Sequence, residues 1–321
     1  MTTTLRVGAV QFEPRPLDVG YNLARVEHFA RRAAAEGVRI VAFPEMCLLG
    51  YWHLTKRPAA ELWAVAEPVD GPSVGRAAAL ASELGIGIGV GWLEAAGDRL
   101  FNSYAVCLPD GAVHVHRKLH AFEHEAISSG NAYTVFDTPW GVRVGVLICY
   151  DNNLVENPRA TALLGAQIIL APHQTGGTAS RSPRGMKVID RALWDARATD
   201  PGPVEAAFAG RDGRGWLMRW LPARAHDNGV FYVFSNGVGI DDDEVRTGNA
   251  MVIDCYGEVV AETGVAADAL VVADCDLSEI PLSSGRRWLA ARRPELYDVL
   301  LARRGDERDP RTARFSTDPL T

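Results

Sequence analysis

Three short segments carry side chains of complementary reactivity. Phe43-Pro44-Glu45 closes a β-branched run in a carboxylate, and His116-Arg117-Lys118 closes another in an ammonium. Ile148-Cys149-Tyr150-Asp151 closes a continuous apolar run in a thiol. A thiol, a base and a cation form the minimum set for nucleophilic acyl transfer. The base takes the thiol proton, the thiolate attacks a carbonyl carbon, and the cation holds the oxyanion with a backbone N–H. Each segment alone is a weak signal. A cysteine in an apolar strand is ordinarily a small core residue. Cys47, two residues beyond Glu45, is a rival nucleophile, although its flanks read as packing. Lysine usage sharpens the second segment. The chain has three lysines, Lys56, Lys118 and Lys187, against thirty arginines. Where a compact ammonium is needed, the two residue types are not equivalent.

The elements that must position these groups alternate. Leu5 to Gln11 reads as a strand. Residues 21–36 place Leu23, Val26, Phe29, Ala30 and Ala33 at helical spacing, with Gly37 as a stop. A short strand ends at Pro44-Glu45. Residues 72–84 predict a helix, 86–92 and 101–108 strands, Asp110-Gly111 a hairpin turn, and 112–118 the returning strand. The run 142–150 reads as a strand buried on both faces, with Cys149 near its end. A helix over 154–165, a strand over 167–172, a helix over 215–228, strands at 230–236, around 254–257 and at 269–275, and a helix over 284–303 complete the pattern. Residues 174–214 are irregular apart from a helical patch near 187–199, and loops of that length are usually functional. This order predicts an α/β protein with helices covering mixed β-sheets. The chain reads as a single domain over 1–304. A polar tail, 305–321, is expected to be extended or to contact a partner subunit.

Composition excludes several roles. The chain has 321 residues, 47% hydrophobic and 23% charged, which is enough to bury a large core. No apolar run approaches the length of a membrane span. The start lacks a signal-peptide pattern, so a cytoplasmic protein is expected. A net charge of −7 argues against a nucleic-acid partner. The arginines between Arg286 and Arg304 read as the outer face of a helix. Five cysteines without a CxxC pair point away from a disulfide framework. His114, His116, His120 and His124 lie close together, but no second ligand cluster accompanies them, and neither a metal nor a cofactor is expected.

Taken together, the three reactive segments resemble the nitrilase superfamily of carbon–nitrogen hydrolases in type, order and spacing. The resemblance rests on Phe43-Pro-Glu45, Arg117-Lys-Leu-His120 and Gly145-Val-Leu-Ile-Cys149-Tyr-Asp151. It extends through Arg224-Ala-His-Asp-Asn228, Gly248-Asn-Ala-Met-Val-Ile-Asp254 and Arg292-Arg-Pro-Glu-Leu-Tyr297. It implies a four-layer αββα sandwich, assembled as a homodimer or a higher homo-oligomer. It also implies roles. Glu45 would be the general base, Cys149 the nucleophile that carries a thioester, and Lys118 the oxyanion cation together with the N–H of Tyr150. A second glutamate would be Glu123 or Glu125, and the spacing to Gly130 favours Glu123. Tyr51, Trp52, Asn152, His173, Gln174 and Trp194 are the candidate substrate-binding residues. Trp216 and His53 are further candidates for an aromatic wall.

The residues after the nucleophile bear on which bond is cut. True nitrilases commonly follow their cysteine with Trp-Glu. Tyr150-Asp151 looks more like the amidase and carbamoylase branches. Carbamoyl-amino-acid hydrolases commonly carry an arginine where this chain has Asn152-Asn153. A carboxylate on the substrate would then need Arg181, Arg184 or Arg191 from the long loop. The expected activity is hydrolysis of a small-molecule amide or N-carbamoyl compound. The alternatives are a nitrilase, an acyltransferase, or a ligand-binding member without catalysis.

Overall fold

A computed structural model describes residues 3–316. Its strands form two sheet halves. One half runs in the order Val113–Arg117, Arg99–Cys107, Gly87–Ala96, Ile40–Ala42, Thr4–Phe12. The other runs Phe231–Asp241, Ile168–His173, Arg143–Val146, Thr134–Asp137. They join where Thr4–Phe12 pairs in parallel with Phe231–Asp241 at only two positions, Gln11 with Asn236 and Phe12 with Gly237. So short a seam lets the halves face one another rather than continue as one flat sheet.

The cores follow from that arrangement. Between the halves lie Val7, Ala9, Ile40 and Val106 from one and Val144, Val146, Leu170 and Val233 from the other. On one outer face, Val26, Phe29 and Ala33 of helix Val19–Ala35 and Val74, Ala77 and Leu80 of helix Pro72–Leu84 cover the first half. On the other, Ala162, Leu217, Leu221 and Ala225 cover Ile169, Tyr232 and Phe234. Helix, sheet, sheet, helix: these are the four layers the resemblance implies.

Strand direction places the reactive groups at one edge. Ile40–Ala42, Arg143–Val146 and Ile168–His173 all belong to the parallel set. Val113–Arg117 is antiparallel to Arg99–Cys107, which is itself antiparallel to Gly87–Ala96, a member of that set. Its chain therefore runs the same way. Glu45, Lys118, Cys149 and His173 each sit at or just past a strand's carboxyl end, where ligands bind in open α/β sheets.

Several expected elements are shorter or broken. The strand over 142–150 ends at Val146, and a 3-10 turn, Cys149–Asn153, begins at the thiol. The helix over 215–228 is two pieces, Arg214–Leu217 and Leu221–His226, with Pro222 starting the second. The helix over 284–303 is Ser284–Ala290 and Asp298–Leu301, parted at Pro294. The long loop holds two helices, Arg191–Ala196 and Gly202–Ala209. The tail is not extended over its described part. Pro310–Phe315 forms a short helix capped by Asp309, and it lies against the body of the chain. Residues 317–321 of the expected tail fall outside the described residues.

Candidate active site

Glu45, Lys118 and Glu123 meet in the interior with no exposed surface. Lys118 Nζ lies 2.7 Å from Glu45 Oε1 and also bonds Glu123 Oε1. Asn102 Nδ2 donates to both carboxylates, at 2.7 and 2.9 Å. The Tyr51 hydroxyl and the Phe122 N–H complete the shell of Glu123 at 3.2 and 3.0 Å. Glu125 is exposed. Of the two candidate glutamates, Glu123 is the one that touches Lys118. Asn102 is a residue that sequence reasoning missed. Its signal is a polar amide inside the strand-like run FNSYAVC, where Asn is disfavoured unless its side chain has partners.

Two carboxylates share one buried ammonium, and the charges respond. Burial pushes the Glu45 carboxyl up, to about 7; Lys118 pulls it back and Glu123 adds to the rise. Burial alone would lower Lys118, but the charges of Glu123 and Glu45 more than offset this, and it stays an ammonium. Glu45 Oε2 has no hydrogen-bond partner among the described residues. A buried carboxylate oxygen left open beside a cation is poised to exchange a proton.

Cys149 opens the turn after its strand with φ +45°. That backbone region is strained for a residue with a Cβ, and such strain gathers at functional sites. The residue is 8% exposed and lines a cavity of about 630 Å³, within the size range of small-molecule sites. Burial and the negative Glu45 raise its thiol well above the usual range, while Lys118 and the Gln174 N–H work the other way. It rests as a thiol, and attack requires a base. Cys47 is different. It is buried in the helix-facing core, its Sγ faces the Gly91 backbone at 3.4 Å, and burial pushes it up to about 12. A Cβ on Gly91 would meet the Met46 nitrogen at 2.3 Å, so only glycine lets the segment after Glu45 pack this close.

Asp151 ties the nucleophile turn to the lysine strand. Its carboxylate accepts from the N–H groups of Ile148, Leu119 and His120, and meets His116 at 3.3 Å and His120 at 3.2 Å. Burial opposes ionisation, but these histidine bonds hold the carboxyl well below its usual range. The histidine run is therefore engaged elsewhere. His114 stacks on Phe136, and His124 accepts from the Ala126 N–H. Among the described residues, no group of three His, Cys, Asp or Glu side chains could hold a metal ion.

The proposed substrate-binding residues divide. Tyr51, Trp52, His173 and Gln174 line the cavity, together with Tyr150. Burial holds His173 neutral, its pKa lowered to about 3. Asn152 is placed differently from the expectation. Its amide is spent on the Leu147 and Cys149 carbonyls and on His173, so it braces the turn instead of facing the cavity. Trp194 is also corrected. It is buried against Phe208, in a cluster that does not line the cavity. Trp216 does line it, and Trp220 joins it there; His53 does not. Of the three loop arginines, Arg181 reaches the cavity and Arg184 and Arg191 do not.

A carbon–nitrogen hydrolase family model matches residues 6–282. The chain belongs to the carbon–nitrogen hydrolase family. This carbon–nitrogen hydrolase is 30% identical to an (R)-stereoselective amidase of Pseudomonas sp. over 305 residues, covering 94% of this chain and 92% of the relative. It is also 30% identical to the N-carbamoylputrescine amidase of Solanum lycopersicum, covering 92% and 94%. Among solved structures, it is similar to the amidase from Nesterenkonia sp. AN1, seen as a cysteine-to-alanine mutant in complex with butyramide. That likeness has a TM-score of 0.68 at 23% identity, over 92% of this chain and 96% of that one, and it concerns the fold.

Proposed function

We propose that this carbon–nitrogen hydrolase cleaves a small-molecule amide or N-carbamoyl compound through a thioester on Cys149, releasing ammonia or an amine. The observation that carries the reading is a buried carboxylate with one open oxygen and a fixed ammonium, packed behind the cavity-lining thiol of Cys149 and near enough for both charges to act on it. Glu45 takes the Sγ proton as the thiolate bonds to the carbonyl carbon. Lys118 and the Tyr150 N–H hold the oxyanion. The intermediate collapses, the C–N bond breaks, and the leaving nitrogen takes the proton from Glu45. Water then gives a proton to Glu45 and its oxygen attacks the thioester. The acid departs, and Cys149 regains its proton. Glu123 holds Lys118 in place through this cycle. The amidases among the relatives support the choice of bond.

The test is ammonia release from a panel of aliphatic amides, aromatic amides, N-carbamoyl compounds and nitriles, with Cys149→Ala as control. Release from amides or carbamoyl compounds that vanishes in the variant is expected. Release from nitriles alone would overturn the choice of bond.

The exposed run Val299, Leu300 and Leu301 supports self-association, which light scattering on the purified chain checks. Five free, buried cysteines suit a reducing compartment and support a cytoplasmic location, checked by fractionating the source cells.

A further inference from the structure

The mouth of the cavity is built by two segments remote in sequence. One is the loop 178–186, and the other is the short helix Pro310–Phe315. They clasp each other reciprocally. Arg181 donates to the Phe315 carbonyl at 3.1 Å, and Arg314 reaches the Ala179 carbonyl at 3.4 Å. Arg311 anchors the helix to the site, donating to the Phe122 and Glu123 carbonyls at 3.1 and 3.2 Å. The Phe315 ring packs edge-on to Phe122, with centroids 6.1 Å apart.

Charge is the unusual feature of this mouth. The ionic side chains that line the cavity are Arg181, Arg246 and Arg314, and no Asp or Glu joins them. Arg246, deeper in, is neutralised by Asp241 and Glu244, each at 2.7 Å. Arg181, Arg311 and Arg314 bond only to backbone carbonyls and aromatic rings, and none forms an ion pair among the described residues. Clefts lined by one sign of charge concentrate ligands of the other. The site's own ammonium lies just beneath. Phe122 has Lys118 Nζ 4.6 Å from its centroid and the Arg314 guanidinium 5.9 Å from it. One phenyl ring separates the oxyanion cation from the mouth.

Resting on the amide-hydrolase reading, we propose that Arg314 and Arg181 select substrates that carry a carboxylate at the end remote from the scissile bond. The amide sits over Cys149 and the carboxylate meets the two guanidinium groups at the mouth. The C-terminal segment is thereby part of the binding site. Substrates ending in an ammonium are disfavoured.

The test uses three amides of similar size: succinamate with a carboxylate end, butyramide with a methyl end and β-alaninamide with an ammonium end. In the full chain, kcat/KM should fall in that order. Arg314→Gln should lower kcat/KM for succinamate about tenfold through KM, leave butyramide within about twofold, and improve β-alaninamide; Arg181→Gln should act in the same direction. Raised salt should shrink the preference in the wild type and not in the double variant. Calorimetric binding of the same three compounds to Cys149→Ala, with and without Arg314→Gln, reads the selection without turnover. Equal handling of succinamate and butyramide, or an equal loss for all three in Arg314→Gln, overturns the proposal while leaving the hydrolase reading intact. Loss of all turnover with the binding order preserved overturns the hydrolase reading and leaves the selection standing. Absence of binding by succinamate overturns the selection.

Discussion

The floor and the mouth of the cavity are built in opposite ways. At the floor, beneath the cavity-lining Cys149, the residues Glu45, Lys118, Glu123, Asn102 and Asp151 are wholly buried and sit in or after strands. They are held by a dense set of hydrogen bonds and by the ion pairs of Lys118 with both glutamates. At the mouth, Arg181 and Arg314 lie on a loop and a one-and-a-half-turn helix, partly open to solvent, held by single bonds to carbonyls. Buried polar networks are costly to disturb and hold geometry firmly. Exposed, lightly held groups change at little cost to the fold. The difference teaches a division of labour. On the proposed reading, the floor holds the reaction and the mouth chooses what enters.

Substitutions should separate the two. Cys149→Ala should lower turnover by at least ~10⁴-fold while the melting curve stays near that of the wild type. Cys47→Ala should retain most activity, because its thiol faces the Gly91 backbone in the core. Equal loss in both would place the nucleophile elsewhere. Lys118→Met should abolish turnover and also destabilise by roughly 3–5 kcal/mol, since it leaves two carboxylates buried without their cation. Denaturant titration checks that double effect; a stable but inactive variant would break the claim that the floor is also structural.

The pH profile probes the same network. Glu45 must be ionised to take the thiol proton, and burial raises its pKa to about 7. kcat/KM should therefore fall as pH drops through about 7. An acid limb near 4, the ordinary carboxyl range, would show that the base is not held in this buried setting. Asp151 carries the opposite sign. Its folded pKa is lowered, so the stability it adds is present above the ordinary aspartate range and is lost as pH falls towards its folded value. In Asp151→Asn, thermal stability should be lower at neutral pH and less sensitive to acid.

The smallest effect belongs to the mouth. Arg311→Ala removes two bonds to carbonyls and should change stability by no more than about 1 kcal/mol. It should raise KM by loosening the C-terminal helix, with kcat nearly unchanged. A large fall in kcat would mean that the helix also positions the floor.

The same contrast explains what was legible in the sequence. Glu45, Lys118 and Cys149 stand out because acyl transfer needs those residue types and each follows a recognisable strand. The α/β class is legible for a similar reason, since strand and helix periodicities recur in Thr4–Phe12, Val19–Ala35 and Ile168–His173, whereas the four layers came only through the family resemblance. Hydrophobicity overran the end of one strand. Leu147 and Ile148 are as buried as Val146, yet the backbone has already turned to set Cys149 at positive φ. Trp194 and Asn152 misled because an indole or an amide near a predicted loop carries no sign of which way it faces. Arg314 was the least legible. Its helix is too short for a periodic signal, and it reaches the site through carbonyl bonds that any residue at those positions would offer.

The central claim is a covalent bond to one sulfur, and mass spectrometry of the enzyme quenched during amide turnover tests it most directly. The account predicts an acyl adduct on the peptide containing Cys149, absent in Cys149→Ala and strengthened when hydroxylamine is withheld. Turnover that persists in Cys149→Ala, or an adduct found on Cys47 instead, would contradict it.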